Sequence, residues 1–271
     1  MTMNKNIPIV ILCGGKGTRL KEETEYKPKP LVRIGEKPIL WHIIKLYAHF
    51  GFSRFILTLG YKGDMIKDYF LNHRFLGNDF TLHCSTNQID FHSDDTLDVS
   101  ITFVNTGSEA LTGERLQKIK KYIDTDYFMV TYGDGVADIN IERLLRFALE
   151  QKTLGTITGA HPHSKYGMLK VHKDLKVAEH FVQKPLMHDL INGGFMVFQK
   201  SFFEYLDNTI MENAFEKLIQ EKHLSVYEHD GFWMGMDTYS DVEALNELWR
   251  TERPWALWEE NPEYVTGSRL A

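Results

Sequence analysis

Ile9-Val10-Ile11-Leu12 is an unbroken apolar run that ends, after Cys13, in a glycine-rich turn, Gly14-Gly15-Lys16-Gly17-Thr18-Arg19. A continuous run of this kind suits a strand covered on both faces rather than one with a wet side, which predicts a central strand of a parallel sheet. The glycines after it let the backbone approach a ligand and turn several N–H groups onto phosphate oxygens, with Lys16, Thr18 and Arg19 adding side-chain donors. A loop of this composition fits a polyphosphate. The competing reading is a turn that merely joins strand to helix.

Spacing excludes two familiar phosphate loops. The Walker A pattern needs G-x-x-x-x-G-K-[ST], and no lysine follows a glycine at that distance. The dinucleotide fingerprint G-x-G-x-x-G requires a third glycine where Leu20 stands.

With 271 residues and 43% hydrophobic content the chain can bury a large core, and the expectation is a single domain over 1–271. A net charge of −6 leaves no basic footprint for nucleic acid or an anionic membrane, while local Lys and Arg can still hold a phosphorylated small molecule. No apolar run reaches the ~20 residues that span a bilayer, and MTMNKN runs into the first strand without a signal-peptide core, so a cytoplasmic protein is expected. The two cysteines, Cys13 and Cys84, each fall in an expected strand without C-x-x-C spacing, which argues against a disulfide framework or zinc site.

Strand and helix signals then alternate. Strands are expected at Phe55 to Leu59, Thr81 to Ser85, Ile101 to Asn105 and Tyr127 to Thr131, and helices at Ile39 to Phe50, from Gly63 through Phe70, and from Gly113 to Tyr122. This is the pattern of a doubly wound, mostly parallel α/β sheet of Rossmann-like type, whose ligands bind at the carboxyl ends of the strands. His42 and His49 lack a carboxylate at ligand spacing and read as structural. Asn87 to Ser100 is acidic and reads as a solvated loop, with folding over the active site or a neighbouring subunit as the second possibility. The second half holds short strands at Gly155 to Ala160, Met168 to Val171, Val177 to Gln183 and Phe195 to Phe198, a strand-rich extension. A last helix is expected at Tyr239 to Arg250, with Trp249, Trp255 and Trp258 available for packing or subunit contacts.

Two segments carry chemistry of their own. Asp134, framed by Gly133 and Gly135 directly after a strand, projects into the crevice where a hard oxygen ligand for Mg²⁺ belongs, an Asx-turn being the plainer alternative. Asn105 to Arg115 leads into a helix whose N-terminus can face a base or phosphate, or can be a simple cap.

The string L-x-G-G-x-G-T-R-L, followed ten residues after the arginine by the second lysine of K-P-K-P, Lys29, resembles the sugar-1-phosphate nucleotidyltransferases. GGKGTRLKEETEYKPKPLVRIGEKPILWHI looks most like their glucose-1-phosphate cytidylyltransferase branch, and the likeness continues through YGDGVAD, INGGF and GFWMGMDT. It implies a nucleotide-binding half over 1–150, a sugar-binding half over 151–250 and a tail over 251–271. Arg19 takes the β/γ-phosphates and Lys29 the α-phosphate, with Leu12, Cys13, Gly14, Gly15, Lys16, Gly17, Thr18, Thr106, Gly107, Gly113, Arg115 and Gly133 around the nucleotide. By the same resemblance Asp134 and Asp237 would hold Mg²⁺. Tyr166, Gly167, Gln183, Lys184, Asn192 and Gly193 meet the sugar, with Lys184 drawing in its phosphate and Asn192-Gly193-Gly194 forming a turn.

The implied substrates are CTP and glucose 1-phosphate, the implied assembly a homo-oligomer and the implied pathway surface-polysaccharide synthesis. Gln183 departs from the pattern, because the usual glutamate before the lysine keeps a second acceptor and a charge that the amide lacks. A different phosphorylated acceptor, a non-catalytic sugar-nucleotide sensor and a dinucleotide-dependent oxidoreductase are the alternatives. The missing third glycine counts against the last, and the presence of Lys29 and both aspartates against the sensor.

Overall fold

The computed structural model describes residues 5–92 and 97–259. Seven strands form the main sheet: β1 (Ile9–Cys13), β2 (Arg54–Leu59), β3 (Ser100–Asn105), β4 (Tyr127–Tyr132), β5 (Gly155–Ala160), β6 (Ile191–Gln199) and β7 (Leu224–His229). Their order is β7-β5-β6-β4-β1-β2-β3. Every neighbouring pair is parallel except those made by β6, which runs antiparallel to both β4 and β5.

The period-2 alternation of β1 sends Ile9, Ile11 and Cys13 into one hydrophobic cluster and Val10 and Leu12 into another. The first cluster is covered by α1 (Ile39–His49), α2 (Gly63–Gly77), α4 (Ile141–Gln151) and α6 (Tyr239–Thr251), and the second by α3 (Thr112–Ile119) and α5 (Asn213–Gln220). All five residues of β1 are buried. The sheet is thus wound on both faces, as its uninterrupted apolar first strand demands.

Register places the site. Cys13 pairs with Leu59, Leu59 with Asn105 and Leu12 with Tyr132, so the carboxyl ends of β1 to β4 lie along one edge. From that edge spring the Gly14 to Arg19 loop, Gly60, the loop after Asn105, and Gly133-Asp134. This is where an open α/β sheet binds its ligands.

Several local expectations change. Gln88–Phe91, inside the acidic stretch read as a loop, is a strand paired with Phe80–His83; residues 93–96 lie outside the described residues. Cys84 sits in the turn of that hairpin and is exposed, whereas Cys13 is in β1. Asn192-Gly193-Gly194 is not a turn but the start of β6. It forms an irregularity there, since Ile157 pairs with Met196 while Gly159 pairs with Asn192. Gly194 has φ +82°, and a Cβ on it would come within 2.6 Å of the Tyr132 ring, so glycine is required at that place. The helix after Gly63 runs to Gly77, past Phe70.

His42 is fully buried among Trp249, Trp255 and Trp258. Its Nε2 donates to the Ile34 carbonyl (2.9 Å) and its Nδ1 accepts from Trp255 Nε1 (3.3 Å), so the neutral ring has both nitrogens partnered. The tail tryptophans are therefore packing residues that seal α1 against α6. Burial outweighs the helpful backbone carbonyls and lowers the His42 pKa to about 4.

A depressed histidine pKa means that stability is complete above ~6.5 and is lost as pH falls toward 4, because the unfolded chain takes up a proton that the folded one refuses. Between pH 7 and pH 5 this group alone should remove about 2 kcal/mol. Urea unfolding of the wild type and His42→Gln at both pH values measures it, and the variant should lose that much less of its stability on acidification.

Candidate active site

Asp134 and Asp237 stand 103 positions apart, and a small antiparallel ladder unites them. Gly135–Ala137 pairs with Trp233–Gly235, and Met236 N donates to Asp134 O (2.8 Å), which brings the residue before the first strand beside the residue after the second. Asp237 is then fixed by the start of α6. The Asp241 carboxylate accepts from Asp237 N (2.9 Å) and Thr238 N (2.7 Å), while Thr238 Oγ1 accepts from Asp241 N, a complete capping box.

Lys29 lies between the two carboxylates. Its Nζ is 2.6 Å from Asp134 Oδ2 and 2.9 Å from Asp237 Oδ1, and Arg19 Nη1 is 2.9 Å from Asp237 Oδ2. Burial disfavours the Lys29 charge, but Asp134 and Asp237 outweigh it and hold its pKa above the ordinary lysine value. Burial likewise opposes the Asp237 charge, and Lys29, then Arg19 and Lys165, carry its pKa below the ordinary carboxylate value. Lys29 and Asp237 are thus ionised at neutral pH.

A cleft of about 210 Å³ opens beside this cluster, lined by Leu12, Cys13, Gly15, Gly17, Thr18, Arg19, Lys29, Pro30, Gly133 and Asp134. Gly17, at φ +63°, holds the bend, and Thr24 Oγ1 closes it on Gly17 O (3.0 Å) and Leu20 O (2.8 Å). Burial pushes the Cys13 thiol well above its ordinary pKa, with the Asp134 charge adding to it, so Cys13 is a lining group and not a thiolate.

Two cleft-loop residues do other work. Lys16 leaves the cleft to pair with Glu109 (2.8 Å), tying the glycine loop to the loop after β3. Gly14 is covered by Arg115: a Cβ there would lie 2.0 Å from Arg115 Nη1.

The Arg115 guanidinium is buried and donates to Leu59 O (3.2 Å), Thr106 Oγ1 (2.6 Å), Gly107 O (2.9 Å) and Gly14 O (2.9 Å). Thr106 Oγ1 in turn donates to Leu59 O (2.7 Å). Arg115 and Thr106 therefore bind the loops after β1, β2 and β3 to one another. Gly113 faces away from the cleft, with its N–H on Thr209 O (2.9 Å).

In the second half, Tyr166 and Gly167 precede a hairpin of Met168–Val171 and Ala178–Val182, with Gln183 and Lys184 after it; Tyr166, Gln183 and Lys184 are exposed. The Gly167 Cα approaches Phe181 and Gln183 Oε1 so closely that a Cβ would sit 2.4 and 2.8 Å from them. Asn192 Oδ1 accepts from Gly194 N (3.0 Å) and its Nδ2 donates to Tyr132 Oη (3.4 Å), while Gly193 O accepts from Trp233 Nε1 (2.7 Å). Tyr132 Oη itself donates to Glu212. Tyr132 and Trp233 fall inside the YGDGVAD and GFWMGMDT motifs but were not singled out, and Glu212 had no motif signal, because ordinary surface residues of its type are common.

Asp134 and Asp237 offer hard oxygen donors at a cleft edge. Among the described residues no group of three or more His, Cys, Asp and Glu could hold an ion. A pair of carboxylates suits Mg²⁺, which keeps water and substrate oxygens in its shell.

A mostly parallel sheet with a glycine-rich loop at its carboxyl edge and paired carboxylates beside a lysine fits a nucleotidyltransferase. The chain belongs to the nucleotidyl transferase family, whose model matches residues 9–253.

It is 41% identical over 254 residues to a probable glucose-1-phosphate cytidylyltransferase of Bacillus subtilis, covering 92% of this chain and 99% of that one. It is 40% identical over 258 residues to a glucose-1-phosphate cytidylyltransferase of Salmonella typhimurium, with the same coverage. Among solved structures, UTP-bound UGPase from Acinetobacter baumannii matches with a TM-score of 0.67 at 16% identity, over 92% of this chain and 94% of that one. HddC from Yersinia pseudotuberculosis complexed with GMP-PN matches with a TM-score of 0.64 at 23% identity, over 89% and 98%. At such identities the last two show the shared fold alone. No helix among the described residues is long and apolar enough to cross a membrane.

Proposed function

We propose that the protein transfers a cytidylyl group from CTP to glucose 1-phosphate, giving CDP-glucose and pyrophosphate for surface-polysaccharide synthesis. The observation that carries this reading is the junction of Lys29 with Asp134 and Asp237 beside the glycine loop, in a chain 40–41% identical to glucose-1-phosphate cytidylyltransferases. In this reading the chain is one domain over 1–271, its 1–150 half takes the nucleotide and its 151–250 half the sugar.

The nucleophile is a phosphate oxygen that is already ionised, so the reaction needs positioning and charge neutralisation and no proton-abstracting side chain. The triphosphate lies along Gly14 to Arg19, with the backbone N–H groups and Arg19 on the β/γ-phosphates. Lys29 turns from its carboxylates to the α-phosphate, where charge grows as pyrophosphate leaves in line. Lys184 and the Tyr166-Gly167, Gln183 and Asn192-Gly193 group take the sugar. Asp134 and Asp237 would hold Mg²⁺, which when bound would supply further charge neutralisation to the phosphates.

Phosphorus NMR of a mixture with CTP, glucose 1-phosphate and Mg²⁺ tests the reading. The expected result is loss of the triphosphate and monoester signals with growth of pyrophosphate and a diphosphate diester. An unchanged spectrum over many hours contradicts it.

Gln183 is the position at which the sugar assignment departs from the family pattern, and a substitution there tests it. A carboxylate at that place accepts stronger hydrogen bonds from sugar hydroxyls than an amide oxygen does, so Gln183→Glu should raise kcat/KM for glucose 1-phosphate by roughly 5-fold. A fall in kcat/KM would point to an acceptor that needs the amide N–H.

A further inference from the structure

A third cation reaches the carboxylate cluster, and it comes from the opposite half of the chain. Lys165 Nζ is 3.8 Å from Asp237 Oδ2, the oxygen that Arg19 holds at 2.9 Å. Arg19, Lys29 and Lys165 thus surround Asp134 and Asp237, one positive charge more than the two carboxylates neutralise. Excess positive charge at a cleft mouth attracts anions. Arg19 and Lys29 enter from the glycine-loop side, where the triphosphate lies. Lys165 enters from the segment just before Tyr166-Gly167, on the sugar side.

The backbone that carries Lys165 is built to aim it. His161 Nδ1 donates to Met187 O (3.0 Å), Met187 N to Pro162 O (2.9 Å), His163 Nδ1 to Lys184 O (3.1 Å) and Ser164 N to Pro185 O (2.8 Å). These four bonds lace residues 161–164 to residues 184–187. Ser164 Oγ then donates to Tyr166 O (2.8 Å) and accepts from Tyr166 N (3.2 Å), folding the chain around Lys165. The Lys165 side chain itself is 60% exposed, and its one described contact is the long pair with Asp237. It is a held cation with little to release when an anion arrives. Lys184, on the facing strand of the lacing, makes no described ion pair with the carboxylates.

We propose that Lys165 binds the phosphate of the acceptor, presenting the attacking oxygen opposite the leaving pyrophosphate, and so shares with Lys184 the charge of the sugar 1-phosphate. This inference rests on the function proposed above. Removing one charge-assisted bond to the acceptor phosphate costs binding of that substrate and spares the nucleotide.

The experiment is steady-state kinetics of the wild type, Lys165→Met and Lys165→Arg with CTP and glucose 1-phosphate. It is accompanied by calorimetric titration of the wild type and Lys165→Met with inorganic phosphate. The expected result is a KM for glucose 1-phosphate raised about tenfold or more in Lys165→Met, a KM for CTP within twofold of wild type, and recovery in Lys165→Arg. An active wild type whose KM for glucose 1-phosphate is unchanged by Lys165→Met overturns the role of Lys165 and leaves the proposed reaction standing. A wild type inactive with this substrate pair overturns the reaction instead. The phosphate titration then decides on Lys165: weaker binding in Lys165→Met supports the role and equal binding overturns it.

Discussion

Lys29→Ala lowers kcat by about 10²-fold or more while leaving the protein folded, because one preorganised charge-stabilising donor in a phosphoryl-type transfer is worth that much. The ammonium is nearly enclosed and is held at 2.6 and 2.9 Å by two carboxylates, so in the proposed reaction it has only to turn from them to the neighbouring α-phosphate. The same variant carries a second signature. Without nucleotide, the ammonium competes with a divalent cation for Asp134 and Asp237, and its removal should tighten Mn²⁺ binding at least tenfold, a difference of about 1.4 kcal/mol. Electron paramagnetic resonance of Mn²⁺ measures the second effect independently of turnover. A variant with near-normal kcat removes Lys29 from the chemistry, and one with unchanged Mn²⁺ affinity removes the competition.

Arg115→Met should destabilise the protein by about 3 kcal/mol or more, since it removes at once the charged donor that ties the carbonyls of Leu59, Gly14 and Gly107 together. Leu59 O keeps Thr106 and Gly14 O keeps Tyr61 N as donors, so the cost is that of several charge-assisted bonds and the packing of the guanidinium lost together. Turnover should suffer through KM for the nucleotide, because Arg115 holds the carbonyl of Gly14, the first residue of the loop to which the proposed function gives the triphosphate. Urea unfolding separates the two roles open to this arginine. A large stability loss marks a residue that assembles the loops, whereas unchanged stability with a raised KM marks one that swings out to touch the nucleotide.

These two residues also show how far residues in sequence order reveal a site. The glycine loop, its parent strand and Asp134 could be read directly, because a two-faced apolar strand, a run of glycines and an acid after a strand each has a local physical cause. The union of Asp134 with Asp237 was legible only through the family resemblance. It depends on pairing of Gly135–Ala137 with Trp233–Gly235, three-residue strands too short to leave a period.

Arg115 was expected at the nucleotide through the family resemblance, and its tethering of the loops had no cue in the sequence; glycines around it let the guanidinium in, since a Cβ at Gly14 or Gly60 would meet it at 2.0 or 2.7 Å. The antiparallel β6 and the edge strand β7 were missed in whole or part. Strand direction has no signature in one strand's own residues, and β7, at the sheet edge, is only partly buried. Lys165 had no local cue at all. The role proposed for it rests on a contact 72 positions away and on the lacing of residues 161–164 to 184–187.

Pyrophosphate release with Mg²⁺, offering CTP, UTP, dTTP, ATP and GTP in turn with a panel of sugar 1-phosphates that includes glucose, bears on the proposed reaction at every point. CTP with glucose 1-phosphate should be the preferred pair, and omission of Mg²⁺ should abolish release. Release that prefers another nucleotide, or none with any pair, contradicts the assignment.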